Sequence, residues 1–369
     1  MSKATSHRQG GSRYSRRTFL RSAALTGLAA GSALAYPRLN DSGVANAASP
    51  SLTLSVGSFA GVTVDMLRQH AVPLFRKRYP NVTVNLGVRG AVEEYPKLKA
   101  FRNRPNESGG MWNDTFAALG SKDGLFAKIN EEYVPNYKYA LKPFQPKTGL
   151  GVAFCIQPFG IAYNPKFVKK PTSWFDLFDS KYSGKVVLIS NFWDMYVMVA
   201  YGLGKNEYNL EPAVNEWAKY KKNIGRFVDS FTQIEEAIDQ GEMWLGPHWG
   251  GWATAAQRRG LNIAWAWPKE GATKASALFE VTAGVDAVTS EYTQRFLNEW
   301  LSPEVGQAFL SQVGWSPANS QITVPADFAN YEGVVTAERL KTHKLVTYDY
   351  AYVGQHLPQL QQMINERVR

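Results

Sequence analysis

Between residues 51 and 88 the chain passes through a strand signal, a helix signal and a second strand signal, and this order restricts the fold most. Residues 51–56 (SLTLSV) alternate polar and apolar side chains with the period of a strand. Residues 64–78 carry Met66, Leu67, Val72, Leu74 and Phe75 at helical spacing; Pro80 and Asn81 stop that helix, and residues 82–88 form the next strand candidate. A strand–helix–strand unit predicts a parallel pair with a right-handed crossover, hence an α/β protein. The alternation continues with a short helix over 96–101, a Pro/Asn/Gly-rich loop over 103–110, a strand over 185–190 and a helix from about 194 to 202. Surface helices are expected over 211–222 and 232–240, and buried strands over 243–245 and 263–267. Tyr292, Phe296, Leu297, Trp300 and Leu301 share a helix face; Ser302 and Pro303 read as N-cap and first residue of another helix, which Gly314 ends.

The first 47 residues have a different character. Ser15-Arg16-Arg17-Thr18-Phe19-Leu20 sets paired arginines before an Ala/Gly/Leu-rich apolar segment over 22–35, and Ala45-Asn46-Ala47 supplies small residues for cleavage. The segment is shorter than the roughly 20 residues that a membrane-spanning helix needs. A twin-arginine export signal is therefore expected over 1–47, with a soluble, unanchored product in the periplasm. The formal net charge of +10 is concentrated there, where Lys3, Arg8, Arg13, Arg16, Arg17, Arg21 and Arg38 face only Asp41. No dense basic run remains beyond it, which argues against nucleic-acid binding. Cys155 is the single cysteine, flanked by Phe154 and Ile156, so an internal disulfide and a cysteine-ligated metal are excluded and a buried inert thiol is expected. The rest of the 369 residues exceeds one ordinary domain, so two lobes are expected.

A series of segments from about 151 to 320 resembles bacterial solute-binding proteins. Pro171-Thr172-Ser173-Trp174-Phe175-Asp176-Leu177-Phe178-Asp179 with Tyr182, Gly184, Lys185 and Val186 is similar to the family's second-lobe entry segment. Gly160-Ile161-Ala162-Tyr163-Asn164, Gly241-Glu242-Met243 with Trp249 and Gly251, Trp267-Pro268-Lys269-Glu270-Gly271, Leu301-Ser302-Pro303-Glu304 and Gly314-Trp315-Ser316-Pro317-Ala318-Asn319 follow the family order. The closest subgroup by resemblance is the spermidine/putrescine-binding components of ABC transporters. The resemblance implies a type II periplasmic binding protein fold, two α/β lobes each with a mixed sheet flanked by helices. Lobe 1 is expected over 48–155 plus 281–325 and lobe 2 over 156–280 plus 326–369, with hinge crossings near 151–160 and 278–286.

In such a cleft a protonated amine needs carboxylates and aromatic faces in place of its water. The 11 Trp and 18 Tyr supply aromatics freely, most of them for packing. By position in the resemblance, Trp249 is expected as an aromatic wall, Glu280 as the acid that holds an amine, and Trp193 with Asn191 or Asp194 as the turn after the 185–190 strand. Asp114 and Asn113, and Phe59 after the first strand, are the first-lobe candidates. The first-lobe turn lacks the acid and tyrosine that polyamine binders often carry there. Tyr348, Tyr350 and Tyr352 form a period-two run, read as a packed strand or as aromatics near the hinge.

The resemblance implies a small solute, a polyamine foremost, handed to an inner-membrane ABC permease by a monomer, with export through the twin-arginine translocase. No cofactor is expected. Ferric iron on paired tyrosines, thiamine or a small organic anion are alternatives on the same fold, and an exported enzyme or redox protein is the alternative of another class. The five histidines lack metal-ligand spacing and no nucleophile elbow is present. His248 is read as a hydrogen-bonded structural imidazole.

Overall fold

The computed structural model describes residues 51–190 and 192–369. The export signal expected over 1–47, and Asn191, lie outside the described residues. Eleven strands form one continuous sheet: β1 (Leu52–Ser58), β2 (Val82–Val88), β3 (Gly109–Trp112), β4 (Val152–Tyr163), β5 (Val186–Ile189), β6 (Ile224–Val228), β7 (Leu245–Trp249), β8 (Ala264–Ala266), β9 (Ala272–Val281), β10 (Ser316–Pro317) and β11 (Leu345–Val346). Its main order is β2-β1-β3-β9-β4-β7-β5-β6, with β8 and β10 on β4 and β11 on β9. The β1–β2 pair is parallel, with Leu52 opposite Val82, as the strand–helix–strand order predicts. Helices flank the mixed sheet, giving the two-lobed α/β architecture of type II binding proteins.

The two longest strands carry the architecture. β9 pairs with β3 through Leu278–Val281 and with β4 through Thr273–Phe279. β4 in turn pairs with β7 through Phe159–Tyr163. All twelve residues of β4 are buried, so it reads as an apolar run rather than an alternating one. Cys155 lies within it, fully buried. One hydrophobic core closes on the Ala287–Trp300 and Pro303–Val313 helices, with Trp300 edge-on to Phe154 and Phe279 at 5.1 and 4.6 Å. Ser302 accepts from the Val305 N–H and Gly314 adopts φ 72°, the expected N-cap and left-handed stop. In another core the Trp174 indole donates to the Gly271 carbonyl at 2.9 Å, and Phe178 packs on Trp217 at 4.7 Å.

Four local expectations are corrected. The 64–78 helix is three pieces, α-helical over Val62–Met66 and Val72–Arg78 and π-helical over Leu67–Ala71. Pro73 lacks the N–H that would continue the ladder and its ring crowds the Gln69 carbonyl, so the turn before it widens. The 96–101 helix runs over Ala91–Ala100, with Pro96 inside it rather than at its start and Glu93 and Glu94 in its first turn. The 243–245 strand begins at Leu245, because the Met243 N–H bonds back to the Ala237 carbonyl. The 348–352 strand is instead the beginning of a helix over Tyr350–Gln355, capped by Asp349, whose carboxylate accepts from the Tyr352 N–H at 2.9 Å.

Candidate functional site

Turns at the carboxyl ends of β1, β3, β5 and β7 carry the candidate residues, the edge at which open α/β sheets leave a crevice. Phe59 follows β1, Asn113 and Asp114 follow β3, Trp193 and Asp194 follow the β5 turn, and Trp249 ends β7. Asp114 and Asp194 each open a helix, Asp114–Lys122 and Asp194–Gly202, whose N-terminal dipole favours a carboxylate.

Asp114 is the hub. One of its oxygens accepts from the Ser276 N–H at 2.5 Å, and the other lies 3.2 Å from the Lys274 ammonium. Both side chains of that ion pair are about nine-tenths buried. Lys274 also donates to the Phe144 carbonyl at 3.4 Å. Asp194 is buried; the Tyr348 hydroxyl donates to it at 3.3 Å, and the Trp193 indole donates to that hydroxyl at 3.1 Å. Burial pushes the Asp194 acid up to about 7; the nearby Asp114 charge adds to this, while the hydrogen bond from Tyr348 opposes it. The Tyr350 hydroxyl donates to the Lys274 carbonyl at 2.5 Å.

Glu280 sits on β9 opposite Gly110 of β3, with no exposed surface. Neither of its oxygens has a hydrogen-bond partner. Burial, and secondarily Asp114, hold its acid well above the usual carboxylate range. Gly151 makes room for it: a Cβ there would lie 2.2 Å from the Glu280 carboxyl carbon, and its φ is +67°. Gly151→Ala is expected to destabilise the fold by about 2–4 kcal/mol, combining left-handed strain with overpacking. Urea unfolding checks this, and a loss below about 1 kcal/mol would show that Glu280 swings aside freely.

An aromatic wall adjoins the acids. Trp249 stands 4.6 Å from Phe159, 5.4 Å from Phe192 and 5.9 Å from Phe231, ring centre to ring centre. Phe192 stacks on Trp193 at 5.5 Å, linking the wall to Asp194. At its other end Phe231 lines a cavity of about 490 Å³ between Ala60 and Gly61 after β1 and the Asp229–Thr232 turn, with Trp252 alongside. His248 is fully buried behind the wall, its ring nitrogens 3.0 Å from the Trp249 carbonyl and 3.2 Å from that of Phe231. Burial lowers its pKa to about 4, so the ring is a neutral spacer between two site turns.

Asp114, Asp194, Trp193 and Glu280 thus fall into one electrostatic cluster and Trp249 into the adjoining wall. Asn113 serves as N-cap, its carbonyl oxygen accepting from the Phe116 N–H at 3.0 Å. Phe59 is half-buried and packs against two hydrophobic cores. Sequence reasoning missed Lys274, Ser276, Phe192 and Phe231. Its available signal for the first two was a lysine and a serine in alternation within a buried strand.

The sequence pattern of bacterial extracellular solute-binding proteins matches residues 108–352. The chain is 26% identical over 210 residues to the spermidine/putrescine-binding periplasmic protein of Escherichia coli K12, covering 54% of this chain and 59% of that protein. It is 22% identical over 243 residues to spermidine/putrescine-binding periplasmic protein 1 of Haemophilus influenzae, covering 61% and 65%. The matches therefore span less than two thirds of these curated relatives. Among solved structures, a GABA receptor superposes with TM-score 0.71 at 19% identity, over 86% of this chain and 98% of that one. The spermidine/putrescine ABC transporter substrate-binding protein of Streptococcus pneumoniae gives 0.67 at 17%, over 86% and 100%. A fructose-6-phosphate-bound periplasmic binding protein of Actinobacillus pleuropneumoniae gives 0.66 at 18%, over 86% and 98%. At these identities the structural likeness establishes a shared fold. With the family pattern covering most of the chain, this protein belongs to the bacterial extracellular solute-binding proteins.

Proposed function

We propose that this chain is the substrate-binding component of an ABC importer, acting as a periplasmic monomer that captures a small ammonium-bearing solute. That class includes polyamines such as putrescine and spermidine. Export by the twin-arginine route, signalled by Arg16 and Arg17, and lobes that divide at β4 and β9 belong to the same reading. The observation that carries it is Glu280, a buried acid with two unpartnered oxygens, coupled to Asp114 beside Asp194 and an aromatic wall. A buried polar group without a partner is costly, and an ammonium ion would supply one. Aromatic faces favour both the cation and the aliphatic chain that bears it. The curated relatives named for spermidine and putrescine, and the structure named for GABA, have amine-bearing solutes in common.

Iron fits less well. Tyr348 and Tyr350 commit their hydroxyls to Asp194 and the Lys274 carbonyl, and Tyr352 stacks on His356 at 4.0 Å. Among the described residues no three His, Cys, Asp or Glu side chains converge as metal ligands. Ligand that contacts both lobes stabilises the closed arrangement by binding it preferentially, and the closed form is what the permease receives.

Titration calorimetry against putrescine, spermidine, other short primary amines, ferric citrate, thiamine and small organic anions tests the reading. Binding of amines is the expected result, and a response confined to another class would overturn it. Glu280→Gln is expected to weaken amine binding by about tenfold or more while leaving the thermal midpoint unchanged or raised, because the neutral side chain keeps the shape and loses the ionisable group. Unchanged affinity would remove Glu280 from the site.

A further inference from the structure

We infer that Lys274 sets the specificity of the cleft, fitting it to a solute with one ammonium and one carboxylate group in preference to a diamine. This rests on the amine-binding reading above and narrows it. Three observations carry it. The Lys274 ammonium already occupies the cation place beside Asp114, at 3.2 Å, inside the protein and on a strand shared by both lobes. Two of its three N–H bonds are accounted for, by Asp114 and the Phe144 carbonyl. Ser276, two residues along and so on the same face of β9, has a buried hydroxyl without a partner.

Charge counting gives the direction. Asp114 is neutralised by its own lysine, which leaves Asp194, with Glu280 behind it, to receive a cation. A solute with one ammonium completes that set. A second ammonium would meet the fixed charge of Lys274 in a poorly hydrated cleft, where like charges repel far more than in water. A carboxylate at the same place would accept from the remaining Lys274 N–H and from the Ser276 hydroxyl, both groups that need an acceptor. The Asp114 carboxylate keeps its Ser276 N–H bond throughout, so it is not stranded. The lysine therefore reverses the preference at one end of the site while the acids keep it at the other.

The test uses pairs of solutes matched in length: 4-aminobutanoate against 1,4-diaminobutane, and 5-aminopentanoate against 1,5-diaminopentane. Calorimetry on the unaltered protein is expected to favour the amino acid of a pair by tenfold or more. In Lys274→Met that preference is expected to collapse to within about threefold or to invert. A diamine that binds the unaltered protein as tightly as its matched amino acid overturns the inference and leaves the amine reading standing. A preference that survives in Lys274→Met assigns the lysine a purely structural role and also overturns it. Binding of neither solute, with capture of a different class, overturns the amine reading itself and this inference with it. The comparison on the unaltered protein stands even if the variant folds poorly.

Discussion

Asp194→Asn is expected to weaken ammonium binding about 100-fold near pH 8 and to erase its pH dependence. An ammonium ion pairs with the carboxylate form, and Asp194 titrates at about 7 because burial raises it from 3.8. As pH falls below that value a proton competes with the solute, so wild-type affinity drops by up to about tenfold per pH unit. The ligand-free fold responds in the opposite sense. Its Asp194 pKa lies above the unfolded value, so the proton's stabilising contribution is complete below about pH 3.8 and is lost as pH rises through about 7. Asparagine keeps the shape and the Tyr348 contact while removing the charge. A 100-fold loss corresponds to about 2.7 kcal/mol, within the range for truncating one partner of a buried charge pair. Calorimetry near pH 6 in two buffers of different ionisation enthalpy gives a second readout: less proton release on binding by the variant than by the wild type. An unchanged pH slope in the variant would take Asp194 out of the site.

Asp114→Ala is expected to act on the fold itself, lowering stability by about 3–5 kcal/mol. The change leaves the Lys274 ammonium buried without its counter-ion and the Ser276 N–H without an acceptor. Asp114 also raises both Asp194 and Glu280, so its removal relieves some repulsion. That relief is the smaller effect because Asp194 is only part-ionised near neutrality. Adding Lys274→Met removes the stranded charge, and the double variant is expected to recover most of the loss. The cycle isolates the pair from the effects of each residue elsewhere. Urea unfolding of the four proteins measures it, and a single-variant loss under about 1 kcal/mol would mean that water reaches the Lys274 ammonium.

Local sequence rules carried well wherever one short signal decides. Ser302, Pro303 and Gly314 mark their helix correctly, because a cap, a first-turn proline and a left-handed glycine each act within a few residues. The strand–helix–strand order at the start of the described chain gives the parallel β1–β2 pair for the same reason. Signals in competition carried less well. The alternating Tyr348–Tyr352 run has strand period, but Asp349 caps a helix and overrides it. Pro96 looks like a helix start and lies within a helix whose first turn is set by Glu93 and Glu94. At the candidate site, the acids were named one by one from the segments that resemble the family. Their coupling was not, since Asp114 meets Lys274 and Ser276 across some 160 residues of chain. A lysine in a buried strand becomes interpretable only once the acid facing it is known.

The pairing of β3 with β9 bears on how this protein is made. Gly109–Trp112 finds its antiparallel partner at Leu278–Val281, and the Ala287–Trp300 and Pro303–Val313 helices then cover one hydrophobic core. This part of the sheet is therefore begun by the earliest described residues and completed some 170 residues later. A chain still on the ribosome lacks the strand that completes this sheet until residue 281 has emerged. Such long-range closure slows folding and leaves β3 with an open edge in the meantime. The pairing that closes this sheet thus also makes its completion a late event in synthesis.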